Sequence, residues 1–245
     1  MRPASADTRR PSRRRFLQTA AAVAAPVLLP GSVFGARAPG NRVNLGVIGM
    51  GNQSTIDVPA FLDLDDVQIV AVADVNTASH GYRSPDQFLG RKPGQEKINA
   101  FYAKKNAAGS YKGCDAYNDF REILGRKDVD AVALIVPDHW HADMTVLAAR
   151  AGKDIYCEKP LSLTVSDGQA MIQAVRKHKR VLQMGSHWRS SPGCRRAAEL
   201  VRNGRIGQVK RVVAVLPPNN AVDPGPGWKP MPVPEGFDCD FWLGP

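Results

Sequence analysis

Val43-Asn44-Leu45-Gly46-Val47-Ile48-Gly49-Met50-Gly51-Asn52-Gln53-Ser54 passes in one step from an apolar run to a pair of glycines. The apolar run fits a strand of a parallel sheet buried on both faces. Gly49 permits a tight turn, and Gly51 presents no side chain to a ligand. Backbone N–H groups at the helix start that follows can meet a pyrophosphate. The third position of the fingerprint is Ser54, small enough for helix and strand to approach. A helix is expected through Leu62, then a second buried strand over Val67–Ala73 that ends on Asp74. A carboxylate about twenty residues after the turn can accept hydrogen bonds from ribose hydroxyls and repel a 2′-phosphate. Gly49, Met50, Gly51, Asn52, Gln53 and Asp74 are therefore expected to bind NAD in preference to NADP. An ordinary turn and a strand-end cap are the plainer alternatives.

Outward from this stretch, strand and helix patterns alternate. Ser79–Gly94 reads as a polar loop insertion, Glu96–Ala107 as a helix, and Tyr117–Leu124 as a short helix. Ala131–Val136 is a strong strand closed by Pro137. Asp143–Ala151 is helical and stops at Gly152. Asp154–Cys157 is a further strand, Val165–Lys177 an amphipathic helix, and Val181–Met184 a strand. Such alternation predicts a doubly wound parallel sheet, an α/β Rossmann architecture. After Ser190 the character changes. A helix is expected over Cys194–Asn203 and a strand over Val209–Leu216, then an irregular proline-rich stretch from Pro217 to Glu235.

Composition excludes some functions. The formal charge of +10 would suit a nucleic-acid binder, but its placement does not. Six arginines (Arg2, Arg9, Arg10, Arg13, Arg14, Arg15) against Asp7 alone put half of it in the first 36 residues. Elsewhere no basic helix and no aromatic–basic alternation occurs, so no nucleic-acid partner is expected. The N-terminus reads instead as an address. Ser12-Arg13-Arg14-Arg15-Phe16-Leu17-Gln18, an alanine-rich apolar run and a small-residue region resemble a twin-arginine export signal over residues 1–38. The implied partner is the twin-arginine export machinery, and the implied location is periplasmic or otherwise extracytoplasmic. An enzyme there cannot draw on cytoplasmic NAD, so a tightly held, recycled nucleotide is expected. The four cysteines (Cys114, Cys157, Cys194, Cys239) match no metal motif, and Cys157 reads as a buried free thiol.

Tyr156-Cys157-Glu158-Lys159-Pro160 closes a predicted sheet strand. With the glycine turn, with Asp119-Phe120-Arg121-Glu122-Ile123-Leu124, and with Val136-Pro137-Asp138-His139-Trp140-His141, it resembles the glucose–fructose oxidoreductase, inositol dehydrogenase and rhizopine catabolism (Gfo/Idh/MocA) family. Asp240-Phe241-Trp242-Leu243-Gly244-Pro245 resembles a stretch of its longer, exported bacterial branch. The resemblance implies a nicotinamide-binding Rossmann domain over residues 39–188. Residues 189–245 would begin an α+β open-sheet second domain. It also implies a sugar or cyclitol substrate and, for a full-length protein, a homo-oligomer. Lys159 would sit by the nicotinamide and the substrate hydroxyl. Glu158, Pro160, Pro137, Asp138 and His139 would line the cofactor, and His141 would join Lys159 in catalysis. In an extended loop, His139 and His141 would share one face; a metal there lacks a third ligand, so none is expected. The family's Asp-x-x-x-His element does not follow Asn203, so the chain reads as an N-terminal fragment. A redox-neutral NAD-dependent glycosidase or lyase, and a non-catalytic nucleotide-binding fragment, are the competing functions. The hydrolytic branch typically lacks the lysine that Lys159 supplies.

Overall fold

The computed structural model describes residues 41–81, 83–105, 109, 111–215 and 230–244. The expected export signal, residues 1–38, lies outside them, as do the predicted helix end at Ala107 and most of the proline-rich stretch. From Arg42 onward the chain forms one compact unit. Its strands are β1 (Val43–Ile48), β2 (Val67–Ala73), β3 (Asp115–Tyr117), β4 (Ala131–Leu134), β5 (Asp154–Cys157) and β6 (Leu182–Met184). Its helices are α1 (Ser54–Leu62), α2 (Arg91–Lys105), α3 (Phe120–Gly125), α4 (His141–Arg150), α5 (Val165–Lys177), α6 (Pro192–Arg202) and α7 (Cys239–Leu243).

All six strands are parallel, in the order β3-β2-β1-β4-β5-β6. This is the doubly wound sheet predicted, and its period explains the core. Side chains alternate across a strand, so Val47 packs with Val58, Leu62 and Ile98 on one face of the sheet. Its neighbour Ile48 packs with Ile123, Met144 and Met171 on the other. Both faces are covered, which is why the central strands read as unbroken apolar runs. The order reverses between β1 and β4, and a crevice opens there beyond the C-terminal ends of the strands. A local signal starts α5. Thr164 and Asp167 form a reciprocal capping box at α5, with Thr164 Oγ1 accepting from the Asp167 amide at 3.2 Å.

Three expectations need correction. The helix expected from Glu96 begins at Arg91, because Pro93 falls in its first turn, where proline is tolerated. The helix expected over Tyr117–Leu124 is two elements, the short edge strand β3 and then α3, started by the Asp119 side chain accepting from the Arg121 amide at 2.8 Å. Three residues are too few to show a period. The strand expected from Val209 does not form over 209–215. That segment pairs with no neighbouring strand among the described residues, and Val212 and Val215 are more than four-fifths exposed, at 83% and 82%. A valine-rich run makes a strand only where another edge accepts its hydrogen bonds.

Candidate functional site

The glycine turn is held by backbone contacts that tolerate no side chain. Gly49 has φ +98°, and a Cβ there would sit 2.1 Å from the Ile135 carbonyl oxygen on the chain leaving β4. The Ser54 hydroxyl donates to the Gly51 carbonyl at 2.6 Å and tightens the entry to α1. The Met50 amide donates to Asp74 Oδ2 at 2.5 Å, and the Asn76 amide donates to Oδ1 at 2.8 Å. Asp74 therefore joins the end of β2 to the turn after β1. Burial raises its carboxyl, against the lowering pull of those two amides and of Arg91. Among the described residues, the Gly51, Asn52 and Gln53 amides donate to no protein acceptor. These are orphan donors at a helix start, the groups an anion satisfies. Met50 was expected to touch the cofactor, but its side chain is buried in the core against Gly94 and its amide is taken by Asp74. It shapes the turn and does not line the cleft.

Beyond the turn lies a cleft of about 630 Å³, within the range of small-molecule sites. Gly49, Gly51, Asn52, Gln53 and Asp74 line one side of it, and Pro137 lines the β4 side. The insertion after β2 reaches back over the turn, where Gln87 Nε2 donates to Asn52 Oδ1 at 3.3 Å. Arg91 Nη1 donates both to the Asp74 carbonyl (2.9 Å) and to Asn118 Oδ1 (3.1 Å), tying the β2 and β3 ends together. The aromatic lining comes from Phe120, Trp140, Phe237, Phe241 and Trp242.

The two histidines do not share a face. Asp138–Trp140 forms a helical turn and α4 starts at His141, so the rings diverge. His139 Nε2 donates to the Trp242 carbonyl at 2.9 Å. His141 has no exposed surface at all, and its ring nitrogens face the Pro160 carbonyl (2.5 Å) and the Val136 carbonyl (3.0 Å). The expectation that His141 acts on substrate is corrected: the ring is sealed between two loops and bridges them. Asp138 is exposed and does not line the cleft.

The Glu-Lys-Pro stretch follows β5, and a second group of polar side chains gathers around it. Lys159 and Pro160 are exposed and joined by a cis peptide bond. Glu158 is buried. It accepts from the Tyr156 hydroxyl at 2.8 Å and from the Lys159 amide at 3.1 Å, with His187 Nε2 at 3.5 Å. Gln53 links this group to the cleft: its Nε2 donates to Asp57 Oδ1 at 3.2 Å and lies 3.4 Å from His187 Nε2. Burial and then the Glu158 charge raise the Asp57 carboxyl, while Gln53, His187 and Lys159 lower it. Burial, followed by the hydrogen bond to Glu158, also pushes the Tyr156 hydroxyl up. Among the residues singled out from sequence, Lys159, Glu158 and Gln53 are thus brought together, and His187 joins them. Asp57, Tyr156 and Asn118 were missed. An acid in the first turn of a helix reads as an ordinary dipole partner, so Asp57 carried no distinct signal.

These groups fit a nicotinamide dinucleotide: orphan amides for the phosphates, a carboxylate for a ribose, an apolar slot and an exposed lysine. The comparisons agree. An inositol 2-dehydrogenase from Rhizobium meliloti is 30% identical over 170 residues, covering 69% of this chain and 44% of that protein. An inositol 2-dehydrogenase from Salmonella typhimurium is 38% identical over 93 residues, covering 38% of this chain and 28% of that protein. The chain spans less than half the length of either relative. The crystal structure of a myo-inositol 2-dehydrogenase from Lactobacillus plantarum shares the fold, with a TM-score of 0.52 at 22% identity over 69% of this chain and 43% of that one. Residues 43–186 match the profile of an oxidoreductase family with an NAD-binding Rossmann fold. The chain belongs to that family, Gfo/Idh/MocA.

Proposed function

We propose that this is an exported, NAD-dependent oxidoreductase that moves hydride between a sugar or cyclitol hydroxyl and a tightly held cofactor. The observation that carries the reading is the placement of Lys159. It is exposed at the C-terminal end of β5, and its backbone amide donates to buried Glu158, which His187 and Gln53 connect to the glycine turn. Ligands of open parallel sheets bind outside that end of the strands. Likeness to proteins named inositol 2-dehydrogenase supports a polyol substrate.

Bound NAD would supply the hydride acceptor. Lys159 Nζ would hydrogen-bond the substrate hydroxyl and take its proton as the hydride passes from the same carbon to the nicotinamide, so that the alcohol becomes a ketone, NAD becomes NADH and the proton rests on the lysine. Glu158 holds the Lys159 amide, and His141 bridges the Pro160 and Val136 carbonyls, so the lysine turn is steadied from two sides. The arginine-rich N-terminal segment supports export of the folded protein with its nucleotide in place, and hence a location outside the cytoplasm.

Native mass spectrometry of the protein recovered from the periplasmic fraction tests this, together with a polyol panel read by NADH formation. A protein carrying NAD(H), whose bound nucleotide is reduced when a cyclitol or sugar is added, is expected. A nucleotide-free protein that also binds no NAD in calorimetry would overturn the reading.

A further inference from the structure

One wall of the cleft does not come from the sheet or its helices. Residues Pro234–Gly244 cross the C-terminal ends of three strands and are bonded to each. After β2, the Asp238 amide donates to the Val75 carbonyl at 3.0 Å, and the Thr77 amide donates to the Gly236 carbonyl at 2.8 Å. After β3, Asn118 Nδ2 donates to Asp238 Oδ2 at 2.8 Å. After β4, the Trp242 carbonyl accepts from His139 Nε2 (2.9 Å) and Trp140 Nε1 (3.2 Å). Asp238 also starts α7, its Oδ1 accepting from the Phe241 amide at 3.1 Å. Phe241 then stacks on Phe120, with centroids 5.8 Å apart and planes at 11°, and meets Trp140 edge-on. Phe237, Phe241 and Trp242 line the cleft together with Gly49 and Asp74.

We propose that Pro234–Gly244 is a strap over the adenosine half of the dinucleotide site: its aromatic side chains form the outer wall for the adenine ring, and the nucleotide leaves only when the strap lifts. The inference rests on the nucleotide reading above. Two features carry it. The strap spans the end of the cleft next to the ribose carboxylate, Asp74, and its lining is apolar and flat-sided, suited to a base that has a π face. It is fastened at three separate strand ends, so release needs these contacts to break, and removing any of them should quicken it. A strap of this kind gives a resident cofactor without a covalent link.

Stopped-flow NADH fluorescence with the unmodified protein, Asp238→Ala and Phe241→Ala tests the proposal, with the mononucleotide NMNH as the control ligand. Asp238→Ala removes the acceptor of Asn118 and the α7 cap at once. NADH release is expected to quicken about 10- to 100-fold, with association changed less than about threefold. NMNH, which has no adenine, should be released at the same rate from all three proteins. In the unmodified protein, NADH should also slow amide hydrogen exchange across residues 236–242, a measurement that depends on no variant folding. NADH release within about twofold of the parent in a folded variant, or unchanged exchange in the strap on NADH binding, overturns the strap. Failure of the unmodified protein to bind NADH at all overturns the nucleotide reading instead, and the strap with it.

Discussion

At one end of the cleft the wall is largely aromatic: Phe120, Trp140, Phe237, Phe241 and Trp242 line it together with Asp74. At the other, reached through Gln53, the groups are ionisable: Asp57, Tyr156, Glu158, Lys159 and His187. The first end is assembled by packing and can recognise a ligand by shape. The second keeps two carboxylates out of water, and burial, with the Glu158 charge beside it, raises the Asp57 carboxyl. Asp57 Oδ2 is buried with no partner among the described residues. A folding core gains nothing from such an arrangement, so it points to a site shaped for chemistry. One end is suited to holding and the other to reacting, and the glycine turn lies between them.

The largest break falls on that turn. Gly49→Ala places a Cβ 2.1 Å from the Ile135 oxygen at φ +98°, so both ends should fail together. A loss of about 3 kcal/mol or more in urea unfolding is expected, with NADH binding lost. A variant of unchanged stability would show that β4 yields, and that the turn does not govern the two ends.

Lys159→Met separates the ends. Turnover of a polyol should fall about 10²- to 10³-fold while NADH affinity stays within about twofold. Equal losses in both would place Lys159 in binding and dissolve the contrast. Asp74→Asn acts on the other side. It removes the charge and leaves one oxygen for the two amides of Met50 and Asn76. NADH affinity should weaken about tenfold and the preference over NADPH should shrink. Preserved discrimination would mean that another group reads the ribose.

The smallest effect concerns Asp57. Its carboxyl is raised from the ordinary 3.8, chiefly by burial. For an acid raised in the folded state, the associated stability is complete below 3.8 and is lost as pH climbs through the raised folded value. Asp57→Asn, which keeps an acceptor for Gln53, should therefore stabilise the protein near neutral pH by roughly 1 kcal/mol. The gain should vanish in acid. Urea midpoints measured at the two pH values check this, and a gain independent of pH would remove Asp57 from the charged group.

Much of this site was legible because its parts are local. The glycine turn, the carboxylate ending β2 and the lysine ending β5 each announce themselves within a few residues, since a strand end and its turn are neighbours in the chain. Cys157 was read as a buried thiol, and it is one, pushed up to about 12 by burial. The strap left no such trace. Asp238 meets Asn118 across more than a hundred positions, and a single pair of side chains that far apart produces no period.

What the sequence determined by itself is the doubly wound sheet and the open glycine turn at its switch point. Alternating apolar runs dictate which faces must be buried, and two glycines after a strand dictate a turn that leaves amides open. What only the tertiary structure decided is where the rings point. His139 turns out to the strap and His141 turns in between two carbonyls because α4 begins at His141 and buries that face. It also decided which segments find partners: Pro234–Gly244 crosses three strand ends, while the valines after Val209 find no edge. A side chain's direction and a long-range contact depend on what else has packed nearby, and no stretch of neighbouring residues carries that information.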